Sequence, residues 1–355
     1  MTRPLQARVH PTALLNNLLV VRNAAPTSKI MAVIKANGYG HGMLRVARAL
    51  ESADGYAVLS LADAIALRQM GFRQQILLLE GFFEPQELSA IAEQRITVVI
   101  HSNHQIDALD HAWLPVRIDC YLKINTGMNR LGFAPRDFPD VLARLKQCKG
   151  VGNISLMTHF ASADEPTGIS SQTALFDQLT EGLSYPKCLA NSAAILRYPE
   201  SHQDWIRPGI MLYGASPFVD QSSASLGLEP AMTLATELIA VQKLKAEDKV
   251  GYGGTFVADK EMRIGIVACG YADGYPRHAG TGTPVLVSGK RTRTLGRVSM
   301  DMMYADITDI PEAGIGSEVI LWGEGLPVEE VAKAAGTISY ELLTARADRV
   351  PVVEV

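Results

Sequence analysis

The sequence predicts an α/β chain: an N-terminal (β/α)8 TIM-type barrel followed by a mainly β C-terminal domain. Two observations carry this. Up to about residue 228, eight short apolar runs alternate with amphipathic stretches of helical spacing. Beyond that point the pattern changes to β runs with only two helical stretches. The length of 355 residues exceeds one ordinary domain, and 47% hydrophobic with 20% charged residues can fill sizeable cores.

In chain order, candidate strands occupy residues 30–35, 56–60, 75–80, 96–100, 117–123, 152–159, 187–190 and 210–213. Helical stretches fall at 43–51, 61–70, 85–94, 103–112, 135–146 and 171–182. Such alternation argues for parallel strands, and eight units in this length fit a closed barrel, whose functional residues project from the C-terminal strand ends. The connection over 214–229 contains Pro217, the run Gln221-Ser222-Ser223-Ala224-Ser225 and Gly227, so it reads as a linker. The expected domains are therefore 1–228 and 229–355. In the second, β runs fall at 235–244, 262–269, 284–287, 291–298, 303–307 and 318–322, with helical stretches near 328–335 and 340–346.

Composition excludes several function classes. A net charge of −4 leaves no electrostatic footprint for nucleic acid or an anionic membrane, so small molecules are the expected ligands. The first ten residues lack the apolar core of a signal peptide, and no later stretch is long and uncharged enough to span a bilayer. Cys120, Cys148, Cys188 and Cys269 are scattered, as expected of free thiols in a reducing compartment, and the reading is cytoplasmic. His101 and His104, with His111 further on, read as a polar helix start rather than as metal ligands. No metal is expected.

The sharpest local signal is Lys35. The run Lys29-Ile30-Met31-Ala32-Val33-Ile34-Lys35 delivers one amine to the turn Ala36-Asn37-Gly38-Tyr39-Gly40-His41-Gly42. Its glycines permit left-handed backbone and close ligand approach. A desolvated lysine there can lose its proton and attack a carbonyl, as in a Schiff base with pyridoxal 5′-phosphate (PLP). Taken alone, the segment also fits a strand-end lysine that merely reaches water.

The segment resembles the PLP-lysine signature of alanine racemases, and matching blocks recur in order along the chain. They are Lys123-Ile124-Asn125-Thr126-Gly127-Met128-Asn129-Arg130, Met157-Thr158-His159-Phe160, Asn191-Ser192, Trp205-Ile206-Arg207-Pro208-Gly209-Ile210, Val250-Gly251-Tyr252-Gly253-Gly254, Gly270-Tyr271-Ala272-Asp273-Gly274, Ser299-Met300-Asp301 and Thr337-Ile338-Ser339-Tyr340. The resemblance implies a barrel followed by a β domain, and it leaves open whether a first strand near residues 4–9 joins the second domain. It further implies a homodimer acting on L-alanine and D-alanine, with active sites shared across the interface. Racemisation needs one base on each face of Cα. The resemblance assigns these to Lys35 and to Tyr252 from the partner subunit, with Arg277 hydrogen-bonded to the tyrosine. A tyrosine with a reference pKa of about 10 needs such a cation. Arg207 matches the residue facing the pyridine nitrogen of PLP, and His159 its orienting partner. Tyr39, Asn191, Ser192, Gly209, Ile210 and Tyr340 match the cofactor-binding set. Arg130 and Met300 match substrate-binding positions, Tyr271 and Asp301 the entrance, and Lys123 a lysine that is often carbamylated. Asn125 stands where many members carry Asp. Asn125, Asn129 and the short C-terminus resemble the catabolic branch more than the biosynthetic one. Rival readings are a broad-specificity amino-acid racemase, a non-catalytic PLP-homeostasis protein built on a single barrel, and a decarboxylase of the same broad fold.

Overall fold

A computed structural model describes residues 3–355. The first strand, β1 (Gln6–Val9), leads into a helix, Pro11–Ala24, that begins with proline at its first turn, where no N–H is required. Eight strands then close a parallel barrel: β2 (Lys29–Val33), β3 (Gly55–Val58), β4 (Gln75–Leu78), β5 (Thr97–Ile100), β6 (Ile118–Lys123), β7 (Val151–Met157), β8 (Lys187–Asn191) and β9 (Trp205–Arg207). Helices such as Leu61–Gln69, Asn103–His111, Phe138–Gln147 and Ser170–Thr180 cover the outside. Every residue of β3 and β5 is buried, as expected of strands packed on both faces.

One strand is corrected. The run expected as the eighth strand, Ile210–Tyr213, is a 3-10 helix, and the barrel closes through Trp205–Arg207. All four of its residues are buried, so the apolar run marks burial rather than strand geometry. Pro208 and Gly209 end β9, and Val33 N–H donates to the Pro208 carbonyl at 2.9 Å, sealing the barrel against β2. Arg207 thereby becomes the last residue of a barrel strand.

The remaining strands form the second domain. Its eight-stranded sheet runs in the order β13-β16-β15-β14-β17-β10-β1-β18. Here β10 is Met232–Leu244, β13 Met262–Val267, β14 Pro284–Val287, β15 Lys290–Leu295, β16 Met303–Asp306, β17 Glu318–Trp322 and β18 Val352–Glu354. A small hairpin, β11 (Lys249–Val250) with β12 (Phe256–Val257), carries Tyr252 between its strands. The N-terminal β1 belongs to this sheet, antiparallel to β10 (Gln6 opposite Ala235) and parallel to β18. The connection over 214–229 is tied down rather than loose. Buried Asn17 donates to the Leu212 and Glu229 carbonyls and accepts from Glu229 N–H, while Ser216 N–H donates to the Glu329 carboxylate. Among the described residues, no helix is long and apolar enough to cross a membrane.

Candidate active site

A cavity of about 1080 Å3 opens at the C-terminal end of the barrel. Lys35, Tyr39, Lys123, Arg130, His159, Asn191, Ser192, Arg207, Gly209, Ile210 and Tyr340, all expected from the sequence, line it. Lys35 enters it through an unusual turn. Ala36, Asn37, Gly38 and Tyr39 take φ values of 51, 52, 61 and 49°, one turn of left-handed backbone. Left-handed geometry costs about 1–2 kcal/mol for each residue with a Cβ. That cost is offset locally: Gly38 N–H bonds the Ile34 carbonyl at 2.9 Å, Gly42 N–H the Asn37 carbonyl at 2.8 Å, and Met43 N–H the Asn37 side chain at 2.9 Å. At Gly40, a Cβ would lie 2.2 Å from the Leu343 carbonyl oxygen, so glycine is required there by space as well as by φ. Beneath the turn, burial pushes the pKa of His41 down to about 4, so its neutral ring donates from Nδ1 to the Tyr39 carbonyl at 2.8 Å.

Burial lowers the pKa of Lys35, with the charge of Arg130 adding to the effect and Glu80 opposing it. The amine is thus readier to shed its proton than an exposed lysine. Lys123 is lowered to about 8 by burial and then by Arg207 and Arg130. The loop between Lys123 and Arg130 is organised by Asn125, whose side-chain oxygen accepts from Asn129 N–H at 2.9 Å and Gly127 N–H at 3.2 Å, while its amide donates to Asn129 Oδ1 at 3.0 Å. The amide supplies both acceptor and donor, which a carboxylate cannot.

Arg207 is held chiefly by backbone. Nη1 donates to the Cys188 carbonyl at 2.8 Å and the Cys188 thiol at 2.9 Å; Nη2 donates to the Thr158 and Leu189 carbonyls at 2.9 and 3.0 Å. His159 is a weaker partner, its Nδ1 lying 3.4 Å from Nη2. Burial and then Arg207 hold the His159 pKa well below its ordinary value, leaving a neutral ring able to accept. Beside β9, Ser192 Oγ accepts from Gly209 N–H at 2.9 Å, and Asn191 Oδ1 caps the helix Ser192–Arg197 through Ala194 N–H at 3.1 Å. Tyr39 stacks on Tyr213 with ring centroids 4.4 Å apart, and burial raises its pKa to about 12, so its hydroxyl stays a neutral donor.

Tyr252, Arg277, Met300, Tyr271 and Asp301 are absent from this cavity. They lie on the second domain; Tyr252 is 72% exposed and Met300 53% exposed. Arg277 lines a separate hollow with Thr255, His278 and Arg297, and among the described residues no hydrogen bond joins it to Tyr252. Asp301 instead accepts from Arg349 at 2.7 Å. Sequence reasoning passed over Glu80, Phe83 and His101, which line the cavity, and the Cys188 thiol on Arg207. His101 is not a solvated helix residue: its Nε2 lies 3.0 Å from the Glu80 carbonyl, at the end of β5. Its place at a barrel strand's C-terminal end was the available signal. Among the described residues no group of three or more His, Cys, Asp or Glu side chains could hold a metal ion.

A strand-end lysine with a lowered pKa, a buried arginine and a serine–glycine cradle in one barrel mouth define a lysine-centred carbonyl-chemistry enzyme of barrel type. Comparison with known proteins sharpens the class. The alanine racemase N-terminal domain model matches residues 9–217 and the C-terminal domain model residues 231–354. The chain is 55% identical to the alanine racemase of Nitrosospira multiformis, over 98% of this chain and 99% of that one. It is 53% identical to the catabolic alanine racemase of Salmonella typhimurium, over 99% of each chain. Among solved structures, the biosynthetic alanine racemase of Pseudomonas aeruginosa superposes with a TM-score of 0.97 at 45% identity, covering 100% of both chains. The chain belongs to the alanine racemase family.

Proposed function

We propose that the chain interconverts L-alanine and D-alanine as a PLP-bearing homodimer, using Lys35 on one face of Cα and Tyr252 of the partner subunit on the other. The observation that carries this is the convergence of the Lys35 amine, the Arg207 guanidinium and the Ser192–Gly209 cradle in one cavity. These residues fit the cofactor. Both Nη nitrogens of Arg207 are occupied by protein acceptors, while Nε has none among the described residues and is free for a ring nitrogen. Gly209 has no room for a side chain, since a Cβ there would lie 2.8 Å from the Tyr39 hydroxyl, so backbone N–H groups and that hydroxyl can meet a phosphate together. When bound, PLP supplies the electron sink that makes the α-proton of an amino acid removable.

The protein's own groups do the rest. Lys35 is held by its strand beside the cavity and moves the proton at Nζ; its lowered pKa suits it to cycle between charged and free forms. Arg207 offers an N–H donor to the ring nitrogen and no acidic proton, because a guanidinium does not deprotonate at working pH. This weakens the sink and favours simple return of the proton. Arg130 fits a carboxylate through its planar fork. Tyr252 is supported by its exposure, which leaves its hydroxyl available to a second subunit, as are Met300 and Tyr271. With Asp301, those two narrow the entrance toward a small side chain; kinetics on serine, lysine and arginine separate this reading from a broad-specificity racemase. Lys123, with its pKa near 8, is suited to carbamylation beside Arg130. The four free, buried cysteines support a reducing cytoplasm.

The test mixes two inactive homodimers. Lys35→Ala lacks one base and the cofactor anchor; Tyr252→Phe lacks only the opposing hydroxyl. In their heterodimer one site recovers both groups, and racemisation returns. Heterodimers that carry PLP at the intact site yet stay at the parental background would overturn the two-base, two-subunit assignment.

A further inference from the structure

An ion-pair network centred on one buried carboxylate lies at the base of the second domain's exposed loops. Asp273 is 1% exposed and its carboxylate accepts four hydrogen bonds. Arg3 donates twice, at 2.6 and 2.9 Å, Arg349 Nε once at 2.7 Å, and Gly270 N–H once at 2.9 Å. The same two arginines reach the neighbouring loop: Arg3 Nη2 donates to the Asp301 carbonyl at 2.6 Å and Arg349 Nη2 to the Asp301 carboxylate at 2.7 Å. Backbone bonds join the two loops directly, from Tyr271 N–H to the Ser299 carbonyl and from Ala272 N–H to the Met300 carbonyl, both 3.0 Å. At Gly270 a Cβ would sit 2.3 Å from the Ser299 and Met300 oxygens, so the loops touch with no space between them.

We infer that Arg349, with Arg3, is a positioning residue for the wall formed by Tyr271, Met300 and Asp301, and that it serves the active site of the other subunit rather than its own. This rests on the shared-site reading given above. Asp273 alone would fix only the first loop. To the backbone bonds the arginines add a side-chain link, because each spans Asp273 and Asp301 and so sets one loop against the other. Arg349 comes from the C-terminal segment between the helix Ser339–Thr344 and β18, and Ala347 N–H donates to the Asp273 carbonyl at 3.1 Å. The chain's two ends therefore meet under a surface that makes no contact with the chain's own cavity. No atom of the network needs to touch substrate. Its effect is on where Met300 and Asp301 stand.

Arg349→Leu removes both side-chain contacts. Loosening the entrance without touching either base raises KM for alanine about fivefold, with kcat changed less than about twofold, the scale of a partly exposed charged contact. Arg349→Lys, which can keep one contact, falls between Arg349→Leu and wild type. Two heterodimers of identical mutational content, purified through a different tag on each subunit, locate the effect. In the first, Arg349→Leu is paired with Lys35→Ala, so the one Lys35-bearing site faces intact loops and shows wild-type KM. In the second, a Lys35→Ala/Arg349→Leu chain is paired with wild type, so the one Lys35-bearing site faces altered loops and keeps the raised KM. Equal KM in the two arrangements, or an Arg349→Leu homodimer with wild-type KM, overturns the inference. If Arg349→Leu does not fold, Arg349→Lys is carried through the same two arrangements and read by the same criterion. Failure of the Lys35→Ala with Tyr252→Phe mixture to recover activity would instead bring down the shared site itself.

Discussion

Gly209→Ala isolates the cofactor cradle. At a φ of −121° the residue lies outside the left-handed region, and the steric effect at issue is that of the added methyl. That methyl lies 2.8 Å from the Tyr39 hydroxyl, 3.5 Å from its Cζ and 3.8 Å from Val33 Cβ. Only the first distance is a clash. To reach ordinary contact the hydroxyl must retreat by about 0.6 Å, against a ring stacked at 4.4 Å on Tyr213. Tyr213 is itself pinned by a 2.9 Å bond to the Val33 carbonyl. Overpacking a rigid site costs about 1–3 kcal/mol, or roughly 5- to 150-fold in affinity for a ligand that requires the original geometry. PLP titration of stripped protein, followed by absorbance, measures it. The control is Tyr39→Phe, which deletes the clashing oxygen and leaves the nearest contact at an ordinary 3.5 Å. Tyr39→Phe lowers affinity by itself, and adding Gly209→Ala then costs little more. A Gly209→Ala penalty of equal size in both backgrounds would refute the steric argument.

Two further outcomes concern charge. Arg207→Glu slows racemisation by at least about tenfold while increasing side transamination, because a carboxylate can hold a proton on the pyridine nitrogen. It also removes donors to the Cys188, Thr158 and Leu189 carbonyls, of which Cys188 still accepts from Thr158 N–H; a buried carbonyl left unpaired costs about 1–3 kcal/mol, so thermal stability falls as well. The ratio of pyruvate to the product enantiomer is the readout, and an unchanged ratio with PLP bound means that Arg207 does not tune the sink. Lys123 should take up CO2: with its pKa near 8 rather than 10.5, its neutral fraction at about pH 7 is some three-hundredfold larger. A 13C carbamate signal under labelled bicarbonate should grow as pH rises through about 8 and vanish in Lys123→Ala. A signal that survives that substitution rules Lys123 out.

The sequence showed these parts unevenly, for physical reasons. Lys35 was legible because a left-handed turn after a strand leaves glycines behind at 38, 40 and 42. Residues 210–213 were misread because a fully buried 3-10 turn and a buried strand are equally apolar, and periodicity cannot separate them over four residues. Pro208 was the better signal, since proline cannot continue a central strand. Membership of β1 in the second sheet could not be read locally, because its partners are more than two hundred residues away. His101 was discounted through its spacing to His104, yet its position at the end of β5 determines its environment. Cys188 looked inert as one scattered thiol, and only the fold brings it against Arg207.

The lowered pKa values of the cavity's basic groups share two causes, burial first and mutual repulsion second. Lys35, Lys123, Arg130 and Arg207 converge there, and among the described residues only two carboxylates, Glu80 and Glu341, line the same space, in a chain whose net charge is −4. Burial itself penalises each charged form and is the larger effect, and in a space with little water to screen the cluster each cation then raises the cost of protonating the next. That is why Lys35, Lys123 and His159 are all displaced toward their neutral forms. The barrel wall holds these groups in place: Arg207 is locked by the Cys188 and Leu189 carbonyls of β8 and that of Thr158, the residue after β7, and Lys35 by the turn at the end of β2. A site that cannot relax its own repulsion gains most from a ligand that brings negative charge. On the function proposed above, a phosphate in the serine–glycine cradle and a carboxylate at Arg130 would supply it at two separate points. Between those points, the lysine of the proposed pair of bases is already displaced toward its neutral form.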